Sequence, residues 1–243
     1  MITEQTQAKD WRAWHDDYAD PTSALSRRLH LVRGHIDAWL DDRLLDPELN
    51  DGPDDGRTNG LPGAEVTVVS ACAGQGHDLF DVLRRRTARR PDRGRVRATL
   101  IEFDPSNAAI ARATADRMHL GRVEVRCADA GDLASYAGAV PADLLVFAGI
   151  FGNISNDDIE RSITALPTLC APGATVIWTR TRKPPDVTTA VRGWFAAAGF
   201  EEVAFHAPDD VMFSVGRHHL RGSPQPLADG RIFRFLTPGT ATG

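Results

Sequence analysis

Glu65-Val66-Thr67-Val68-Val69-Ser70-Ala71-Cys72-Ala73-Gly74-Gln75-Gly76-His77-Asp78 holds the first clear strand-to-helix transition in the chain. A short β-branched run breaks into a turn with two glycines, and helical spacing follows from about Asp78 to Arg90. A brief, continuous apolar run bounded by turn residues describes a strand buried on both faces. The same texture then recurs. Ala98 to Phe103 is the next apolar run, and Pro105 stands at the first turn of a helix that reaches Leu120, with Gly121 placed to stop it. Val123 to Val125 leads into Ala128-Asp129, and Leu144 to Ala148 is apolar throughout. Ser155 and Asp158 resemble a capping box opening a helix to about Leu169. Ala174 to Thr179 forms a fifth strand, and Asp186 to Ala198 a helix closed by Gly199. Five such β-α units imply a parallel sheet covered by helices on both faces.

The pattern changes near the end. Glu202–Ala207, Met212–Leu220 and Arg231–Leu236 read as strands with no helix between them, and the first two should pair as a hairpin. The expected fold is Rossmann-like, doubly wound α/β, with a mostly parallel seven-stranded sheet and an antiparallel C-terminal hairpin. The front differs in character. Trp11–Tyr18 and Leu25–Leu45 have helical spacing, Pro21 separates them, and Asp46–Gly63 is rich in Asp, Gly and Pro. Residues 1–60 therefore read as a helical cap and linker, and residues 61–243 as the α/β domain.

Composition narrows the function classes. A net charge of -5 over 243 residues advertises neither nucleic-acid nor membrane-surface binding. Three cysteines without CxxC spacing argue against a disulfide framework or a zinc site, and the polar N-terminus is no signal peptide. A cytoplasmic protein with no metal is expected. Arginines cluster from Arg84 to Arg97, but at the amino ends of the strands, where helix dipoles favour cations.

Ligands of open α/β sheets bind beyond the carboxyl ends of the strands. After the first strand lie Ala71, Cys72, Ala73, Gly74, Gly76 and Asp78, whose glycines permit close approach to backbone N–H groups. A dinucleotide fingerprint would place a third glycine at 79, where this chain has Leu79. The second strand ends at Glu102-Phe103, putting a carboxylate where a ribose diol can donate to it, and the third ends at Asp129-Ala130. Together these residues resemble the class I S-adenosylmethionine-dependent methyltransferases, over roughly Glu65 to Leu220. The resemblance implies that Ala73–Gly76 receives the methionine portion, Glu102 the ribose and Asp129 the adenine, with Ala148 ending the fourth strand nearby. The chain departs from the family at Ser70, where an acid is usual, and at Cys72, where a glycine is usual. Cys-Ala-Gly-Gln-Gly and Ile-Phe-Gly-Asn-Ile-Ser are also similar to bacterial proteins known only as candidate methyltransferases.

Methyl transfer from a sulfonium is an in-line displacement that needs alignment and exclusion of water more than a catalytic triad. The resemblance puts Phe151 and Asn153, after the fourth strand, beside the transferring methyl. Each also has a bland reading, Phe151 in packing and Asn153 with Ser155 in the turn and cap of the next helix. Arg180, after the fifth strand, is at the correct end of the sheet for an anionic acceptor. His206 at the end of the sixth strand is one general-base candidate, whereas His218 and His219 should face solvent. His15 is the alternative base and Tyr18 a further catalytic candidate, both in an N-terminal segment that family members often use as a lid. The expected partner is a small-molecule acceptor (O, N or C nucleophile), with a homodimer through the cap helix also open. An NAD(P)-dependent oxidoreductase, an RNA methyltransferase and a non-catalytic S-adenosylmethionine-binding protein are the alternatives.

Overall fold

In the computed structural model, residues 20, 22–45, 65–89 and 95–236 are described. Their order is α1 (Ala24–Leu45), β1 (Val66–Ala71), α2 (Phe80–Arg89), β2 (Val96–Glu102), α3 (Pro105–Arg117), β3 (Val123–Cys127), β4 (Ala142–Phe147), α4 (Asn156–Ala165), β5 (Cys170–Thr181), α5 (Thr188–Ala197), β6 (Phe200–His206) and β7 (Phe213–Leu220). The seven strands form one sheet in the order β3-β2-β1-β4-β5-β7-β6. The pairs β1–β2, β1–β4, β2–β3 and β4–β5 are parallel, while β7 runs antiparallel between β5 and β6. The expected hairpin is therefore present, folded so that its second strand lies inside. Strand order reverses between β1 and β4, which opens a crevice at their carboxyl ends.

Alternation along β1 sends Val66 and Val68 to one face and Val69 and Ala71 to the other. The first face is covered by α1, α2 and α3, through Val32, Ile36, Val82, Leu83, Ala108 and Ala111. The second is covered by α4 and α5 through Ile159, Ile163, Val191 and Phe195. Helix α1 thus belongs to a covering layer of the sheet. It runs antiparallel to the strands: Arg27 near its start meets Asp210 in the β6–β7 connection, and Arg43 near its end meets Asp143 at the start of β4. Buried Arg86 of the basic cluster bonds Asp37 and Asp41 of α1, so it joins helix to helix.

Three local expectations are corrected. Arg231–Leu236 is not a strand; it is an extended strap touching the fold through two isolated bridges, Asp132 to Arg231 and Ile154 to Phe235. The residue that ends α3 in the left-handed region is His119 (φ 55), two positions before Gly121, while the Leu120 N–H bonds the Ala115 carbonyl. His218 is no solvent histidine. It is 1% exposed, stacks on Phe195 at 4.2 Å and accepts from Trp178 Nε1 at 3.1 Å. Among the described residues no helix is long and apolar enough to cross a membrane, and no cluster of side chains suits a metal ion.

Candidate cofactor crevice

The turn after β1 is built on left-handed backbone at Cys72 (φ 51), Gly74 (φ 55) and Gly76 (φ 81). A Cβ at Gly76 would lie 2.3 Å from the Phe80 ring, so the start of α2 closes against the turn only because no side chain is there. Glu102 at the end of β2 is 8% exposed and holds this turn directly: Oε2 accepts from Gly74 N at 2.7 Å and Oε1 from Asp104 N at 2.8 Å. Burial raises its pKa, and backbone donors from Asp104, Gly74 and Phe103 oppose that rise. Phe103 beside it is 72% exposed, an aromatic face left open at the crevice edge.

The end of β3 closes the other side. Asp129 Oδ1 accepts from Gly131 N at 2.8 Å, and Oδ2 meets Arg231 at 2.7 Å. Ser135 donates to the Asp129 carbonyl, and Tyr136, fully buried, donates to the Ala130 carbonyl. The Cys72 thiol is pushed well above its usual range, first by burial and then by the negative charges of Glu102 and Asp129. This keeps the thiol protonated and unsuited as a nucleophile.

Ala71, Ala73, Ala130 and Ala148 are buried in the walls around these ends. Asp78 has its pKa raised by burial, opposed by Arg28, His77 and Arg33, and its Oδ1 is a buried atom with no hydrogen-bond partner. Arg33 donates to the His77 carbonyl at 2.8 Å and pairs with Asp81, fastening α1 to the glycine turn.

After β4, Gly149 (φ 76) donates its N–H to Thr179 Oγ1 at 2.8 Å, and Asn153 Nδ2 donates to the Gly149 carbonyl at 2.7 Å. Asn153 therefore shapes this turn. Phe151, a candidate for acceptor contact, is corrected to a core residue: it is fully buried against Phe147, Trp178 and Phe195. Arg180 donates to the Phe151 carbonyl, and burial lowers its pKa. No carboxylate lies within salt-bridge distance of it among the described residues, although Asp186 acts on it at longer range.

His206 is at the carboxyl end of β6, as expected, but not at the crevice. Insertion of β7 moves β6 to the edge, three strand spacings or about 14 Å from β4. Its ring lies 4.9 Å from His35 of α1. His15 and Tyr18 lie outside the described residues. Arg231, Gly131 and Thr179 escaped sequence reasoning; Arg231 is 102 positions from Asp129, and no local pattern joins them.

No protein-family model matches the chain, and no curated protein does. Solved structures do. An O-methyltransferase family protein from Burkholderia thailandensis is 17% identical at TM-score 0.53, covering 85% of this chain and 65% of that one, just under two thirds of its length. Magnesium protoporphyrin IX methyltransferase from Synechocystis with bound S-adenosylmethionine is 14% identical at TM-score 0.55, covering 85% and 89%. The cyclase SpnF is 14% identical at TM-score 0.54, covering 86% of each chain. The chain has the class I methyltransferase fold. Its crevice lies between β1 and β4, where strand order reverses, and Gly74, Glu102 and Asp129 stand around it.

Proposed function

We propose that this crevice binds S-adenosylmethionine and that the protein transfers its methyl group to a small-molecule acceptor. The observation carrying this reading is the convergence of the open Gly74–Gly76 turn with the Glu102 and Asp129 carboxylates at the point where strand order reverses. The residues fit the cofactor. A carboxylate has about four acceptor positions, so Glu102, engaged by Gly74 and Asp104 through one oxygen each, keeps acceptor capacity for the ribose hydroxyls. Phe103 offers its exposed ring to the adenine plane, and Asp129 accepts from the 6-amino group. Buried Leu79 stands where a nicotinamide-binding turn has glycine, which counts against the dinucleotide alternative.

The bound cofactor supplies an already activated methyl group. The chain's own contribution is orientation and exclusion of water. Arg180 supports an acceptor that carries a negative charge: among the described residues its guanidinium bonds a neutral carbonyl and has Asp186 only at longer range, so it is an incompletely compensated cation. Incubation with methyl-labelled S-adenosylmethionine and a panel of small phenolic, amine and carboxylate acceptors tests the reading. Labelled product with release of S-adenosylhomocysteine is expected, reduced in Arg180→Ala for the anionic acceptors. Cofactor binding without turnover across the panel would instead favour the non-catalytic binding protein.

A further inference from the structure

The strap from Gly230 to Leu236 crosses the carboxyl edge of the sheet and touches both loops that border the crevice. Leu133 N bonds the Gly230 carbonyl at 2.9 Å, and Ile232 N bonds the Gly131 carbonyl at 2.8 Å. Further on, Arg234 N donates to Asp158 Oδ2, and Leu236 N to the Asn153 carbonyl. Ile232 and Phe233 are buried beneath it, at 2% and 1% exposure. The strap passes so close that a Cβ on Gly131 would lie 2.4 Å from the Phe233 carbonyl. It is therefore a fixed element, and it delivers one side chain to the crevice: Arg231, onto Asp129 Oδ2.

This ion pair is partly exposed on both sides, 31% for Arg231 and 37% for Asp129. Pairs of that kind contribute little to stability. Its effect on Asp129 is geometric. With Gly131 N on Oδ1 and the guanidinium on Oδ2, both oxygens are held and the carboxylate plane cannot rotate. Two acceptor positions remain on it. We propose that Arg231 is a positioning residue for base recognition: it sets Asp129 in the orientation that takes the 6-amino group of adenine, and so determines the selectivity of the crevice for an adenine nucleoside. This rests on the adenine role of Asp129 proposed above.

Isothermal titration of the full chain with S-adenosylhomocysteine, and with its purine analogue lacking the 6-amino group, tests the inference. The wild-type protein should prefer S-adenosylhomocysteine by about tenfold or more, the range of a hydrogen bond to a charged group. Arg231→Ala should lose most of that preference by weakening S-adenosylhomocysteine alone, with the purine analogue unchanged to within about twofold. Arg231→Lys, which keeps a charge but not the guanidinium's contacts with both Asp129 Oδ2 and the Phe233 carbonyl, should recover only part. Arg234→Ala, which removes a neighbouring strap charge, should behave as wild type. Equal weakening of both ligands in Arg231→Ala would reduce the residue to a strap anchor and overturn the proposal. Unchanged or tighter S-adenosylhomocysteine binding would overturn it too, as would a wild-type protein that binds both ligands equally. Failure of the wild-type protein to bind either ligand would instead remove the cofactor reading itself.

Discussion

Gly76 concentrates the demands of the crevice in one residue. With its φ at 81° and the Phe80 ring 2.3 Å from where a Cβ would stand, the position has no room for any side chain. Gly76→Ala should cost about 1–2 kcal/mol from the left-handed backbone alone, with a further loss from displacing Phe80. Urea unfolding should show the lowered midpoint, and titration with S-adenosylhomocysteine a loss of affinity. Gly121→Ala, with nothing within 4 Å of the new methyl, is the control. An unchanged midpoint in Gly76→Ala would contradict this account of the turn. The glycines were legible in the sequence because Gly next to a β-branched run has few other reasons to be there. Arg231 was not, because its partner is remote in sequence and surface arginines are common.

Helix α3 shows where reading by element succeeds and where it slips. Pro105 at its first turn was legible, and Asp104 caps it by accepting from Ser106 and Asn107. Glycine spacing puts its end at Gly121, although the chain turns at His119. A histidine in the left-handed region carries strain that glycine lacks. His119→Gly should therefore stabilise the protein by about 0.5–1 kcal/mol, net of the greater freedom glycine gives the unfolded chain. For a domain of this size that is a rise of about 2–4 °C in melting temperature at the upper value. A lower melting temperature would show that His119 makes a compensating contact. The strands were legible because their continuous apolar runs follow from burial on both faces. Arg231–Leu236 misled for the same reason: Ile232 and Phe233 are buried, but as part of a strap crossing the carboxyl edge of the sheet rather than joining it.

Among the described residues, burial lowers the pKa of four histidines, His35, His77, His218 and His219, and of these His218 and His35 shift furthest and link folding most to pH. Burial holds His218 neutral down to about 4, and His35 also to about 4, where His206 and Arg217 add to the effect. An unfolded histidine takes its proton near 6.5. The folded pKa values are lowered, so the unfolded chain binds these protons first as pH falls. Stability is thus intact above about 6.5 and lost progressively toward 4. For enclosed His218 the ceiling is about 3 kcal/mol; partly exposed His35 contributes less. Urea midpoints measured from pH 7.5 to 4.5 should fall, and His218→Gln should flatten the slope. A slope unchanged in that variant would remove His218 as its source. Nothing in the sequence separated His218 from its exposed counterparts, because its burial depends on Trp178 and Phe195 from other elements.

The topology, with strand order reversing between β1 and β4, fixes the place of the crevice, while the chemistry rests on Gly74, Glu102 and Asp129. The most direct measurement is a thermal-shift comparison of S-adenosylhomocysteine, S-adenosylmethionine, NAD and NADP on the wild-type protein and on Glu102→Ala. At a hundred times its dissociation constant, a ligand stabilises by about 2.7 kcal/mol. That rise should appear with the two S-adenosyl compounds only, and be lost in Glu102→Ala. A shift with NAD or NADP alone, or with none of the four, would contradict the cofactor assignment.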